Sequence, residues 1–330
     1  MTCIFSLADR LLSVFILLVV FLIQHMKEIN HSNHDKKINF FITSDTFPSI
    51  SVTGNSCSLM CQHCRGKLLE RLIHATTNEE LLKKAILLHR KGAKGILLTG
   101  GCDERGCVPI KNLIPAIKKL KEETDLIIIA HTGFISSEEA GLLKNSGLDG
   151  IGFDVMGDMT SVMEVYGLRV SEKEYMDSLQ AISRAGLSIF PHVCVGIHFG
   201  KLSGEYRALE MIRTIMPTAV IITGLMPVAG TPMENIRPDP SDFENVLKKA
   251  IRMFPHTPVL LGCAHSIGKD RADIEKMALL CGVSGIAAPA INTIKYAQEN
   301  GYEINFYGTC CGLIPDEKMK IMNPSESNIS

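Results

Sequence analysis

Eight short apolar runs, each followed by a helical stretch, recur between residues 48 and 289. They are "PSISVT" (48–53), "GILLTG" (95–100), "DLIIIAHT" (125–132), "GLDGIGFDV" (147–155), "LSIFPHVCVGI" (187–197), "TAVIITGLM" (218–226), "TPVLLGC" (257–263) and "SGIAAP" (284–289). Their β-branched content and length mark strands. Between them lie amphipathic stretches such as "NEELLKKAILLHRKGA", where Leu81, Leu82, Ala85, Leu87 and Leu88 make an apolar stripe. Asn78 is the expected N-cap there and Gly92 the stop. "RKGAKG", "KNSGLDG", "SRAGLS" and "LCGVSG" each end a helix with a glycine suited to the left-handed position that turns the chain into the next strand. Eight strand–helix units without a long hydrophilic linker predict an α/β fold, a single parallel (β/α)8 TIM-type barrel over residues 48–300. A doubly wound open sheet, usually with fewer strands, is the alternative.

The rest of the chain divides simply. Residues 1–25 are an apolar extension, 26–47 a lead-in, and 301–330 a tail carrying the pair Cys310–Cys311. The run "LLSVFILLVVFLI" (11–23) reads as a membrane anchor, a signal peptide, or an artefact of the start codon with Met26 the true start. Asp9 and Arg10 interrupt the only window near the length of a spanning helix, and no small-residue cleavage site follows. The start-codon reading is preferred, with a cytoplasmic protein as its consequence. A net charge of −1 with 21% charged residues points away from nucleic acid as a partner. Eleven cysteines, irregularly spaced and odd in number, argue reduced thiols, some of them metal ligands.

Three of those thiols lie together. Cys57, Cys61 and Cys64 have the spacing C-x3-C-x2-C directly after the first strand, where barrel loops form the active face. Structural zinc and ferredoxin-type sites usually supply four protein ligands. Three thiolates hold three irons of a 4Fe–4S cluster and leave the fourth open to a small molecule. In this the chain resembles the radical S-adenosylmethionine (radical SAM) enzymes. The resemblance implies that S-adenosyl-L-methionine chelates the open iron and is cleaved by one electron to a 5′-deoxyadenosyl radical. His63 stands where that family usually has an aromatic residue.

Further motifs follow the resemblance. Gly100 and Gly101 match a GGE-type segment whose backbone binds the methionyl amino group, with Cys102 replacing the glutamate. "GFDVMGDMTSVMEVYG" resembles a biotin synthase segment through Glu164, Tyr166 and Gly167, and makes Asp154 and Asp158 the candidates for the ribose hydroxyls; a helix cap or turn is the plainer reading of Asp158. Gly196, Ile197 and Gly200 match a G-x-I-x-G segment that lets adenine approach the backbone. Pro227, Gly230, Thr231, Pro232 and Glu234 match a phrase ending in G-T-P-x-E. Over residues 48–290 the chain is similar to the biotin and lipoyl synthase branch, and most like archaeal biotin synthase-related proteins, some of which form a two-protein lipoyl synthase. This implies sulfur insertion at unactivated C–H bonds, a second iron–sulfur cluster as sulfur source, and a ferredoxin- or flavodoxin-type one-electron reductant. It also implies a lipoyl-carrier protein and a second synthase subunit as partners.

The arginine that biotin synthase uses at its second cluster is absent; "LLGCAHS" offers Cys263 and His265 instead. Cys102, Cys263, Cys310 and Cys311 are the candidate ligands. Cys107 and Cys194 are further thiols in or beside the barrel, and Cys281 reads as a core residue. His131, His192 and His198 either line the barrel toward substrate or are hydrogen-bonded wall residues. A radical SAM enzyme without sulfur insertion (a mutase, dehydrogenase or methyltransferase) is the alternative function; a non-enzymatic iron–sulfur carrier is a further one.

Overall fold

The computed structural model describes residues 36–43, 45–265, 270–313 and 320–321. The apolar run at 11–23 and Met26 lie outside them. No helix among the described residues is long and apolar enough to cross a membrane.

The strands are β1 (Lys37–Phe41), β2 (Ser49–Ser51), β3 (Ile73–His74), β4 (Gly95–Thr99), β5 (Ile127–His131), β6 (Gly150–Asp154), β7 (Ser188–Val195), β8 (Val220–Gly224), β9 (Val259–Leu261), β10 (Gly285–Ala287) and β11 (Glu303–Tyr307). They form one sheet in the order β11-β1-β10-β9-β8-β7-β6-β5-β4-β2-β3. Every pairing is parallel. The eight predicted strands are β2 and β4 through β10.

The sheet departs from a closed eight-stranded barrel in one respect. On closure β10 would pair with β2. Instead β10 pairs with β1, Asn39 opposite Gly285. The far edge of β1 takes β11, and the far edge of β2 takes the two-residue β3. Among the described residues no ladder joins β3 to β11, so the curled sheet stays open between them. The segments assigned to the lead-in and the tail thus each contribute a strand.

Side-chain alternation divides the sheet into two faces. Ile96, Leu98, Ile128, Ala130, Ile151, Phe153, Val193, Val195, Val220 and Ile222 face the helices and form the main core. The opposite residues face the lumen, where Phe41, Phe47, Ile129, Phe190, Ala219, Ile221, Leu260 and Tyr307 pack together with Cys311. By the same alternation His131, Asp154, His192 and Cys194 belong to the lumen side.

The helix Asn78–Arg90 is capped by Thr77, whose hydroxyl accepts from Glu80 N at 3.2 Å. Asn78 is not the cap. Its amide instead bridges to the neighbouring helix, donating to Asn112 O and accepting from Ala116 N, each at 3.0 Å. Leu81 and Ala85 are its buried residues, while Leu87 is 51% exposed because it falls on the outer edge of the stripe. The glycines that end helices, Gly92, Gly147, Gly186 and Gly282, all adopt positive φ.

Candidate active site

Beyond β2 the chain coils at once. Gly54, Met60, Arg65 and Gly66 all have φ between 46° and 75°. For Met60 and Arg65 this costs on the order of 1 kcal/mol each, and these two residues bracket Cys61–Cys64. Cys64 N and Arg65 N both donate to the Cys61 carbonyl, at 3.2 and 2.9 Å. The coil brings the Cys61 and Cys64 sulfurs and a His63 ring nitrogen within 4.8 Å of one another. Cys57 stands outside that group, but lies near enough to help raise the thiols of both Cys61 and Cys102. A hydrogen bond shared between Cys61 and Cys64 pushes the Cys61 thiol up and holds the Cys64 thiol down. Two sulfurs that resist ionising together are neutralised together by a bound cation.

The donor set fits an iron–sulfur cluster with one open iron. It offers three soft thiols from one loop, and the His63 Nδ1 is buried without a partner, an orphan that a bound group would satisfy.

Neighbouring motifs close on this loop. Gly101 lies against Cys57: a Cβ there would collide with the Ser56 carbonyl and stand 2.5 Å from the Cys57 Cβ. Its amide donates to Thr53 Oγ1 at 2.7 Å, and Ser58 N donates to Cys102 O at 2.8 Å. Gly100 also packs on Thr53. Alanine at Gly101 should therefore displace Cys57 and lower both bound iron and S-adenosylmethionine cleavage, the latter at least about tenfold, equivalent to about 1.4 kcal/mol of lost positioning. Iron content at or near the wild-type level, with unchanged cleavage, would show that the close approach has no role.

The segment Met159–Tyr166 sits on the far side of the loop. Gln62 N donates to Val165 O at 2.8 Å, and the His63 and Tyr166 rings meet edge-on at 5.5 Å. Glu164 faces His198 at 3.9 Å. Asp158 caps this segment. Its carboxylate accepts from Thr160 N, Ser161 N, Ser161 Oγ and Ser203 Oγ. Burial opposes its ionisation, but these bonds outweigh it and bring the pKa down to about 2. Gly196, at φ 70°, donates to Glu205 Oε1 at 2.8 Å, and Ile197 is buried beside it. The G-T-P-x-E loop reaches the cysteine loop through Lys67, whose Nζ donates to Ala229 O at 2.8 Å. A cavity of about 790 Å³ opens beside the cysteine loop, lined by Thr53, Ser56, Gly101, Cys102, Cys107 and Phe134 among others.

Asp154 ends β6 on the lumen side, in register with His192. His131 is in register with Gly152, and the two imidazoles meet over that glycine at 5.1 Å. A Cβ on Gly152 would strike the His131 ring. Burial lowers both histidines, and His131 beside it adds to the fall of His192 to about 4. Both rings are thus neutral at pH 7.

The thiols proposed for a second cluster separate into two groups. Cys102 stays with the first site: burial, then Cys57 and Asp154, push it up to about 12. Cys263, Cys310 and Cys311 form the other group, each close enough to another to feel its charge. The tail carries the Cys310–Cys311 pair inward. After β11 it turns into the lumen, where Gly312 rests on the Phe190 ring and Cys311 is buried. Beside Cys310, the Thr309 hydroxyl is buried without a partner.

Thr53, Lys67 and Thr309 carry no motif and were not legible as site residues; Gly152, a glycine inside a strand, is a known mark of close approach.

The family model for the Radical SAM superfamily matches residues 51–212. Biotin synthase 2 of Polaromonas sp. is 28% identical over 187 residues, 55% of this chain and 51% of that protein. The chain thus spans about half the length of that relative. Biotin synthase of Neorickettsia sennetsu is 24% identical over 307 residues, 86% of this chain and 85% of that one. Among solved structures, HydG, a maturase of the FeFe-hydrogenase, superposes with a TM-score of 0.59 at 15% identity, covering 82% of this chain and 64% of its own. Methylornithine synthase (PylB) gives 0.56 at 17%, covering 77% and 72%. These two bear on the fold, a partial barrel. The cysteine coil after β2 that fits an open-iron cluster lies inside the region matched by the family model, so residues 51–212 form a radical SAM domain in a chain similar to the biotin synthases.

Proposed function

We propose that this radical SAM enzyme inserts sulfur into unactivated C–H bonds, as a lipoyl or biotin synthase does. The observation that carries the reading is the inward turn of the tail, which packs Cys310 and Cys311 into the lumen cluster that also holds Leu260 of β9, three residues before Cys263, beside the orphaned Thr309 hydroxyl. Three soft thiols and a buried donor lacking an acceptor suit a second iron–sulfur cluster, and sulfur insertion needs a sulfur source facing the substrate. The family's use of a 4Fe–4S cluster and S-adenosyl-L-methionine fixes the other half. Cys57, Cys61 and Cys64 hold that cluster, which when bound supplies the electron that turns S-adenosylmethionine into a hydrogen-abstracting 5′-deoxyadenosyl radical.

The chain's own residues position and enclose. The Gly100–Gly101 backbone receives the methionyl amino group. Asp154 and Asp158 accept the ribose hydroxyls, Asp158 in addition to its capping bonds. Gly196 and Ile197 take the adenine, with His63 and Tyr166 flanking it. Phe190, Ile129 and Ile221 keep the lumen dry around the substrate. His131 and His192, uncharged, offer it hydrogen bonds without a buried charge. The reductant is of ferredoxin or flavodoxin type, and the substrate arrives on a lipoyl-carrier protein with a second synthase subunit assisting. All ten described cysteines are free, which accords with a reducing cytoplasm.

The test is product analysis. Anaerobically prepared protein, S-adenosylmethionine, dithionite and an octanoylated lipoyl-carrier protein should give a sulfur-bearing octanoyl group by mass spectrometry. Formation of 5′-deoxyadenosine with hydrogen abstracted from the carrier and no sulfur gained would assign the enzyme to the non-sulfurating class.

A further inference from the structure

Glu275, in the helix Asp270–Cys281, is fully buried and charged. Its Oε1 accepts from His265 Nε2 and Arg271 Nε, both at 2.9 Å. Its Oε2 accepts from Ala290 N at 2.8 Å and Thr293 Oγ1 at 2.5 Å. Arg271 also donates to the Ala288 carbonyl. Such a network is expensive to bury, and an apolar replacement of like volume is often as stable. Fold stability is therefore a poor reason for it.

What the network holds is the loop after β9. His265 Nδ1 bonds the Gly262 carbonyl. Gly262 N donates to Ile222 O at 2.8 Å, and Gly224 N donates to Ala264 O at 2.6 Å. The residues on both sides of Cys263 are thus tied, while Cys263 itself is exposed and follows by three residues Leu260, which packs in the same lumen cluster as Cys311, with Cys310 against it. A ligand thiol needs this kind of support, because outer partners orient the groups that grip the metal.

We propose that Glu275 is a positioning residue that, through His265, fixes Cys263 for a cluster shared with Cys310 and Cys311. This rests on the second-cluster reading above.

The test compares wild type, Glu275→Gln and Cys263→Ala, each prepared anaerobically, by iron count, electron paramagnetic resonance of the reduced protein, and S-adenosylmethionine cleavage. Glutamine keeps the size but sets an amide N–H₂ against existing donors. Glu275→Gln should lose at least half of the second-cluster signal, or shift it, with cleavage within twofold of wild type and an unchanged first-cluster signal. An unaltered second-cluster signal overturns the proposal. So does a parallel fall of both signals, which would mark a purely structural residue. If Cys263→Ala keeps all its iron, the second-cluster reading itself fails at Cys263, and the role of Glu275 falls with it. Should Glu275→Gln be insoluble, Thr293→Val, which removes one bond to the same carboxylate, carries the comparison with the same outcomes.

Discussion

Alanine at Cys64 should abolish 5′-deoxyadenosine formation, lowering it by more than about a thousandfold, equivalent to about 4 kcal/mol of transition-state stabilisation. The expectation comes from the coil rather than from the spacing alone. Cys61 and Cys64 share one hydrogen bond, and the backbone between them is bent back on the Cys61 carbonyl. Removing either sulfur leaves two ligands for a cluster that needs three to keep its fourth iron free for substrate. The strained residues on either side cannot supply a substitute: Arg65 has no soft donor, and the Met60 thioether, though soft, carries no negative charge to replace a thiolate on a cluster. The check is chromatographic measurement of 5′-deoxyadenosine from anaerobically prepared protein reduced with dithionite. A Cys64→Ala protein working at near wild-type rate would sink the assignment of the site.

The double variant Cys310→Ala, Cys311→Ala should behave in the opposite way: S-adenosylmethionine cleavage persists, while about four irons and all sulfur insertion are lost. The two sites are separate groups of thiols. Cys57 helps to raise the Cys102 thiol, while Cys310 helps to raise those of Cys263 and Cys311. Cys311 is buried in the lumen cluster with Phe41, Phe190 and Tyr307, so alanine there also leaves a small cavity, costing on the order of 1 kcal/mol. A melting curve separates that modest loss from the loss of iron. Iron content equal to wild type would leave Cys311 as a core residue and remove the internal support for sulfur insertion.

The sequence announced the strands it could announce. β5, "IIIAH", and β8, "VIITG", are continuous apolar runs and fell within a residue or two of their predicted bounds. β1, "KINFF", was hidden by a lysine, an asparagine and the hydrophilic residues before it, and β3 is two residues long. Missing β1 and β11 is what made the sheet look closed, because only pairing partners reveal that β1 takes the edge of β10 that β2 would need. The cysteine coil was legible because ligand spacing is local. The grouping of Cys263 with the tail was open in the sequence, where Cys102 was an equal candidate. Nothing local says that residues after β11 turn inward onto Phe190. The cap at Thr77 went to the neighbour of the expected residue because Asn78 is engaged by Asn112 and Ala116 on the next helix, a tertiary contact.

Iron and acid-labile sulfide counted on wild type and on the Cys57→Ala, Cys61→Ala, Cys64→Ala triple variant test the two-site account most directly. Both proteins are prepared anaerobically from one host under one protocol. Two clusters in one open barrel predict about eight irons per chain in the wild type and about four in the triple variant, with sulfide in step. About four irons in the wild type and none in the triple variant would contradict the second site, and equal iron in both proteins would contradict the first.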